Sequence, residues 1–278
     1  MAISSPKKKK SGRTKEARTT ASSNAARSEK NYITALARGL SVMRAFSRQP
    51  DRLTLAEISR IVDLSRATVR RCLITLNTIG YIETTGKYFR LTPQVLTLSQ
   101  AYFSSNPLPR IAQSHIEEVS DAVKEFCSVS VLTANETVFV ARSARKRHAF
   151  IHREVGLNLP AYCTSTGRVM LAALPRAELD QYFAQVELKK FTHKTVTDQK
   201  TLRGLFEQIR KDDFCVVDGE LEPDLRAIAI PIRNATGATV AAMNVSTGTD
   251  RMTAKQLQTQ VLPVMRQAAS KIRNAMIG

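Results

Sequence analysis

The run Leu64-Ser65-Arg66-Ala67-Thr68-Val69-Arg70-Arg71-Cys72-Leu73-Ile74-Thr75-Leu76-Asn77-Thr78-Ile79-Gly80 constrains this chain more than any other stretch. Ser65 is a good helix N-cap, Gly80 a good stop, and no proline lies between them. Val69, Cys72, Leu73, Leu76 and Ile79 recur at helical spacing and form one apolar stripe. The rest of the surface carries Arg66, Ala67, Thr68, Arg70, Arg71, Thr75 and Thr78, with no carboxylate among them. A helix that buries one face and turns a short, cationic first turn outward suits a DNA major groove. Alone, the same pattern also fits a solvated basic face.

Its neighbours decide between the two. Thr54 to Val62 reads as a short helix with Thr54 as cap and Glu57 three residues on, a capping box. Asp63-Leu64 leaves room only for a tight turn, so the pair is a helix-turn-helix whose second helix reads. Tyr81 to Leu91 then reads as a hairpin around Thr85-Gly86-Lys87, which makes the unit a winged helix with Lys87 and Arg90 near phosphate height. The candidate DNA-contact residues are therefore Thr54, Ser65, Arg66, Ala67, Thr68, Arg70, Arg71, Lys87 and Arg90.

Charge agrees with this placement. The 278 residues carry a formal net charge of +18, and residues 1–30 hold nine Lys/Arg against two Glu. Residues 31–92 hold ten Lys/Arg against four Asp/Glu, which leaves +5 for the remaining 186 residues. Cations concentrated in a tail and a reader form the electrostatic footprint of a nucleic-acid partner. No apolar run approaches a membrane-spanning length, and no apolar stretch follows the N-terminal lysines as a secretory signal requires. Four widely spaced cysteines fit a reduced, cytoplasmic setting better than a disulfide scaffold.

The expected order is a disordered basic tail over 1–30, a winged helix-turn-helix over 31–92, a linker helix over 93–106 and a second domain over 107–278. Ile33 to Ser47 reads as an amphipathic first helix ended by Gln49-Pro50-Asp51. Thr92-Pro93 caps Gln94 to Phe103, and a longer helix runs from Leu108 to Phe126. Beyond it, Ser128–Thr133, Thr137–Arg142, Phe214–Val217, Arg226–Arg233 and Thr239–Ser246 read as strands. Thr164–Leu174, Pro175–Val186, Asp198–Lys211 and Thr253–Met276 read as helices, the last kinked at Pro263. The fold class is α+β, a mainly antiparallel sheet flanked by helices.

Laid out this way, the chain from about residue 32 onward resembles the IclR family of bacterial transcription regulators. The resemblance rests on Leu64 to Arg71 through Gly80-Tyr81, and on Asp224-Leu225-Arg226-Ala227-Ile228-Ala229-Ile230-Pro231-Ile232 leading to Ala241-Ala242-Met243-Asn244-Val245-Ser246. Leu159 to Arg168, Leu171 to Pro175 and Phe89-Arg90-Leu91-Thr92-Pro93 resemble its PcaR/PobR-like branch, regulators of aromatic-acid breakdown. The resemblance implies a GAF-like effector domain, near-palindromic operator DNA, and a homodimer or dimer of dimers. RNA polymerase is a further possible partner. The implied effector is an aromatic carboxylate such as protocatechuate, 4-hydroxybenzoate or terephthalate, or a downstream acid such as β-ketoadipate. The lysine-rich tail lies outside the family pattern.

An aromatic acid needs apolar walls and a partner for its carboxylate. Ala161 to Gly167 leads into a helix whose free N–H groups make an anion site, with Tyr162, Cys163, Thr164 and Ser165 at its mouth. Arg142, Arg147 or His148 can supply a cation instead. By resemblance Asn244 and Ser246 face the cavity, while Asp218 and Glu220, ahead of Leu225, rim it and suit a ligand hydroxyl. Each has a plainer reading as a helix cap, a solvated arginine or a sheet-face polar pair. His148 and His152 lack the further ligands that a metal site needs, and nothing places a base or oxyanion hole beside Cys163. No cofactor or metal is implied. A ligand-responsive regulator leads; an enzyme of small aromatic metabolism fused to a DNA-binding module and a constitutive architectural DNA binder are the alternatives.

Overall fold

The structure, a computed structural model, describes residues 31–47, 52–144 and 154–277. The basic tail, the turn at Gln49-Pro50-Asp51, and Arg147, His148 and His152 lie outside these residues. The chain forms two compact units that divide between Leu98 and Ser99. The sequence expectation put the edge of the reader at residue 92; the division instead falls within a helix.

In the first unit α1 (Thr34–Ala45) precedes β1 (Leu53–Thr54), α2 (Leu55–Val62), α3 (Arg66–Thr78), β2 (Ile82–Thr85) and β3 (Tyr88–Leu91). Thr54 and Glu57 form the capping box, with the Thr54 N–H donating to Glu57 Oε2 at 2.8 Å. Asp63 turns left-handed at φ 51° to end α2, and Ser65 Oγ accepts from the Thr68 N–H to start α3. Val69, Leu73 and Leu76 of α3 pack with Val42, Phe46, Leu53, Ile58 and Ile82. Ile79 leaves the stripe and is exposed, because it is the residue at which the helix ends before Gly80 (φ 81°). β1 was not anticipated: two residues are too short for a periodic signal, and only pairing of Leu53 with Phe89 and Thr54 with Tyr88 makes them a strand. The sheet order is β1-β3-β2.

A single 3₁₀ turn, Pro93–Val95, leads into α4 (Leu96–Ser105), and α5 (Leu108–Val123) follows, ending three residues earlier than the sequence suggested. The second unit is then β4 (Phe126–Thr133), β5 (Glu136–Arg142), β6 (Asn158–Pro160), a 3₁₀ turn Ala161–Cys163, α6 (Ser165–Ala173), α7 (Arg176–Gln185), α8 (Gln199–Asp212), β7 (Cys215–Asp218), β8 (Leu225–Arg233) and β9 (Thr239–Gly248). The six strands are antiparallel in the order β6-β5-β4-β9-β8-β7. A one-turn helix, Ala254–Gln256, widens to a π-turn over Leu257–Val261 and closes the unit as α9 (Leu262–Ala275). The expected kink at Pro263 takes this form because proline cannot donate to a carbonyl one turn back, and the wider turn removes that demand.

Strand alternation sorts the core into two halves. Cys127, Val129, Ile228, Ile230, Met243 and Val245 meet Ala112, Ile116 and Val119 of α5 and Met265 and Ile272 of α9. Ala229, Ala242, Cys215 and Val217 point the other way, toward Tyr162, Leu171, Leu202 and Phe206. That second face is built of small side chains, which lets α6 lie close. The tightest approach is at Gly167, where an added Cβ would sit 2.1 Å from the Ala161 carbonyl oxygen. Gly167→Ala is expected to cost about 3 kcal/mol or more, as overpacking against backbone does. Gly204→Ala, in open space within α8, is expected to stabilise by about 0.5–1 kcal/mol. Urea unfolding of both full-length variants checks the pair.

Candidate nucleic-acid interface and effector cavity

On the reader, Arg66, Ala67, Arg70 and Arg71 are exposed on α3 and Thr68 is half-buried. The Ser65 and Thr68 hydroxyls lie 2.9 Å apart, so each is already engaged in starting the helix. Thr54 is likewise occupied: its hydroxyl donates to Glu57 Oε2 at 2.7 Å. Arg90 does not stand free at phosphate height as expected, because its Nε is paired with Glu83 on the adjacent strand, its register partner. Lys87 lies over the Tyr88 ring at 5.4 Å. Sequence reading missed Arg52, whose guanidinium sits 4.5 Å above the same ring. It lies 36 residues from Tyr88, and only β1 pairing with β3 brings them together.

In the second unit a small cavity of about 30 Å³ lies between the sheet and the start of α6. Cys163, Thr164, Ser165, Glu220, Leu225, Asn244 and Ser246 line it, seven of the expected residues. Phe139, Leu159, Thr166, Val217, Leu221, Glu222 and Ala227 complete the wall. Phe139, Val217 and Ala227 carried no chemical signal in the sequence; strand register alone puts them here, with Ala227 opposite both Val217 and Ser246.

The polar floor is Asn244 and Ser246, held in place from outside the cavity by Ser128. Ser128, opposite Asn244 in the sheet, donates to its Oδ1, and the Asn244 Nδ2 donates to Ser246 Oγ at 2.8 Å. Above it Thr164 caps α6: its hydroxyl donates to the Pro160 carbonyl at 3.0 Å and accepts from the Gly167 N–H at 3.3 Å. Ser165 and Thr166 stand at the cavity wall in the first turn of α6, where backbone N–H groups have no carbonyl within the helix to meet.

The expected set divides here. Tyr162 does not reach the cavity; its hydroxyl donates to the Lys189 carbonyl at 2.6 Å and accepts from the Lys189 N–H at 2.7 Å. Asp218 is outside as well, 3.1 Å from Arg226 Nη2 and 3.5 Å from Lys194 Nζ. Those two cations hold its carboxyl below the usual range against the opposing effect of burial. Arg142 extends to Glu154 at 2.7 Å rather than into the cavity. Glu220 does line it, but not as a free acceptor for a ligand hydroxyl. Both its oxygens are taken by Arg168 Nη1 and Nη2, each at 2.6 Å, and Oε2 also accepts from the Val196 N–H. Arg168 further donates from Nε to the Tyr162 carbonyl at 2.7 Å. Its place in the chain, one turn after the cap, was visible; its partner 52 residues on was not.

No group of three or more His, Cys, Asp or Glu able to hold a metal occurs among the described residues. Among them, too, no helix is long and apolar enough to cross a membrane. Cys163 is a poor nucleophile, since burial pushes its thiol up to about 12.

A winged reader followed by an α+β unit with a small cavity at a helix start defines a DNA-binding protein with a ligand domain. The comparisons make that class specific. Residues 35–86 match the IclR helix-turn-helix domain and residues 100–274 the bacterial transcriptional regulator IclR C-terminal domain. The chain belongs to the IclR family, as its reader and effector motifs suggested, and it is a transcriptional regulator rather than an enzyme. It is 41% identical over 89% of its length to the Pca regulon regulatory protein of Pseudomonas putida, spanning 86% of that protein. It is 37% identical over 88% of its length to the p-hydroxybenzoate hydroxylase transcriptional activator of Acinetobacter baylyi, spanning 92% of it. The inducer-binding domain of a PobR double mutant from Acinetobacter, solved with 3-hydroxybenzoic acid, matches 60% of this chain and 98% of its own, at 35% identity and a TM-score of 0.58.

The thiol environments make a chemical prediction. Cys163 and Cys215 are both held near 12 by burial, so at pH 8 almost none of either is thiolate. Iodoacetamide at that pH is expected to label Cys72, which is half-exposed, and to leave Cys127, Cys163 and Cys215 unlabelled in the native protein. Peptide mapping by mass spectrometry reads the outcome.

Proposed function

We propose that this protein regulates genes of aromatic-acid breakdown in the cytoplasm, binding a small aromatic carboxylate in the cavity under α6. The observation that carries the reading is that the first-turn residues Ser165 and Thr166 of α6 share one cavity with Asn244 and Ser246 of the sheet. A carboxylate fits the first pair, as an anion fits a helix N-terminus. A ring hydroxyl fits the second, and Phe139, Leu159, Val217 and Leu225 supply apolar walls. The names of the relatives support the ligand class. The bound acid biases the spacing of two readers and hence which operator geometry fits.

The operator is near-palindromic in this reading, and the protein binds it as a homodimer or a dimer of dimers, with RNA polymerase as a further partner at the promoter. Leu36 and Leu40 of α1 are exposed, and they line an apolar groove against Cys72, Leu76 and Ile79 of α3, a surface suited to a second copy. Arg66, Ala67, Arg70 and Arg71 read the groove, while Lys87, Arg52 and the tail over residues 1–30 meet phosphate.

Two experiments test the two halves. Arg66→Ala or Arg70→Ala is expected to cost about 1–3 kcal/mol at the operator and less on random DNA. Equal losses on both DNAs, by fluorescence anisotropy, would reduce these side chains to phosphate contacts. For the ligand half, 4-hydroxybenzoate or 3-hydroxybenzoate at a hundredfold excess over Kd should raise Tm by about 5 °C or more. Asn244→Leu should abolish that shift and leave operator binding by the free protein intact. A full shift in Asn244→Leu would place the effector elsewhere, and no shift with any aromatic acid in the unaltered protein would favour a constitutive DNA binder.

A further inference from the structure

The cavity as it stands cannot hold an aromatic ring: 30 Å³ of accessible space is room for about two water molecules. Its acidic lining residues are Glu220 and Glu222. A carboxylate ligand entering this space meets no cation among the residues that line it, and the nearest guanidinium, that of Arg168, is already taken by Glu220. Something in the wall must move to make room and to free that cation. One side chain can do both.

Arg168 and Glu220 are 3% and 8% exposed, a buried pair in fork-to-fork geometry. Glu220 lines the cavity and Arg168 does not, so the carboxylate screens the guanidinium from the space where a ligand would bind. We propose that Arg168 is the cation that holds the effector's carboxylate, and that Glu220 occupies it in the free protein as an internal stand-in which the effector displaces.

The exchange preserves the charge balance at Arg168, at the cost of the Val196 N–H bond to Glu220. Arg168 loses one carboxylate and gains another, so no charge is left buried without a partner, the situation that is costly in a protein interior. Its Nε stays bonded to the Tyr162 carbonyl, so the guanidinium remains aimed along the same line. The departing Glu220 has a receiver close by. Lys194 Nζ lies 3.3 Å from where a Cβ on Gly219 would be, its ammonium is held by Asp218 at only 3.5 Å, and it is 43% exposed. Glu220 can leave a buried pair for that half-exposed cation, and its exit enlarges the cavity on the side of Arg168. The Ser165 and Thr166 donors then meet the same ligand carboxylate from the other side.

This inference rests on the aromatic-carboxylate reading, and the two can fail separately. The measurement is the ratio of affinities for 4-hydroxybenzoate and its neutral analogue 4-hydroxybenzamide, by calorimetry on the full chain. Glu220→Gln keeps the shape of the side chain and one hydrogen bond to Arg168 but removes the competing charge. The ratio should rise about tenfold or more, the size of one charge-assisted hydrogen bond. In the double variant Arg168→Met with Glu220→Leu, which replaces the ion pair by apolar side chains, the ratio should fall about tenfold or more below that of the unaltered protein.

If the unaltered protein binds 4-hydroxybenzoate and both ratios stay unchanged, the exchange is wrong and the effector site stands. A fall of the ratio in Glu220→Gln overturns the exchange too, since it would make Glu220 a direct contact of the ligand. Should Glu220→Gln not fold, the double variant decides alone: a collapsed ratio supports the exchange and an unchanged one ends it. If no aromatic carboxylate binds the unaltered protein, the exchange falls together with the reading on which it rests.

Discussion

The close approach of α6 to the turn Ala161–Cys163 sets the geometry of the second unit. Gly167 permits it, because no side chain fits against the Ala161 carbonyl, and Ala229 and Ala242 permit it from the sheet below. Arg168 then locks it by bonding the Tyr162 carbonyl, the Glu220 carboxylate and, through Glu220, the Val196 N–H. Thr195 adds a bond from its hydroxyl to the Glu220 carbonyl at 2.6 Å. A buried ion pair gains little over a well-packed apolar pair, but losing one partner costs about 3–5 kcal/mol, so such a pair specifies an arrangement more than it stabilises one. Three segments distant in sequence, Tyr162 to Arg168, Thr195-Val196 and Glu220, are thereby held together beside the cavity.

The reader unit solves a different problem with local means. Its helices are short, and short helices depend on their ends. The capping box at Thr54, the left-handed Asp63 and the Ser65 cap give α2 and α3 defined starts and a tight turn between them. Val69, Leu73 and Leu76 then need only one face of α3 for the core, which leaves the arginines free of structural duty. Cross-strand pairing draws Arg90 to Glu83, while Arg52 and Lys87 gather on Tyr88 of β3. Cationic charge on this wing is thus partly neutralised and partly fixed on an aromatic face before any DNA arrives.

What the sequence by itself determined was whatever depends on residues within about one or two turns of each other. Capping, stripe spacing and turn residues placed α1 to α3 and the hairpin within two or three residues, and strand alternation placed β8, β9 and the Asn244/Ser246 face. The α6 cap at Thr164 was legible for the same reason, and with it the row of donors that lines the cavity. Periodicity and capping are local physics, written in the order of the residues.

Only the tertiary structure decided the rest, because partners were chosen by contacts across tens of residues. Two-residue β1 and three-residue β6 exist only as pairs with β3 and β5. Tyr162, Asp218 and Arg142 carry the polar groups of an effector site, yet Lys189, Arg226 with Lys194, and Glu154 claim them instead. Glu220 is in the wall as expected, but Arg168 determines its chemistry. A side chain's type says what it is able to bind; which neighbour reaches it first, and whether water is excluded there, is set by packing. The sequence therefore named the groups, and the fold assigned their partners.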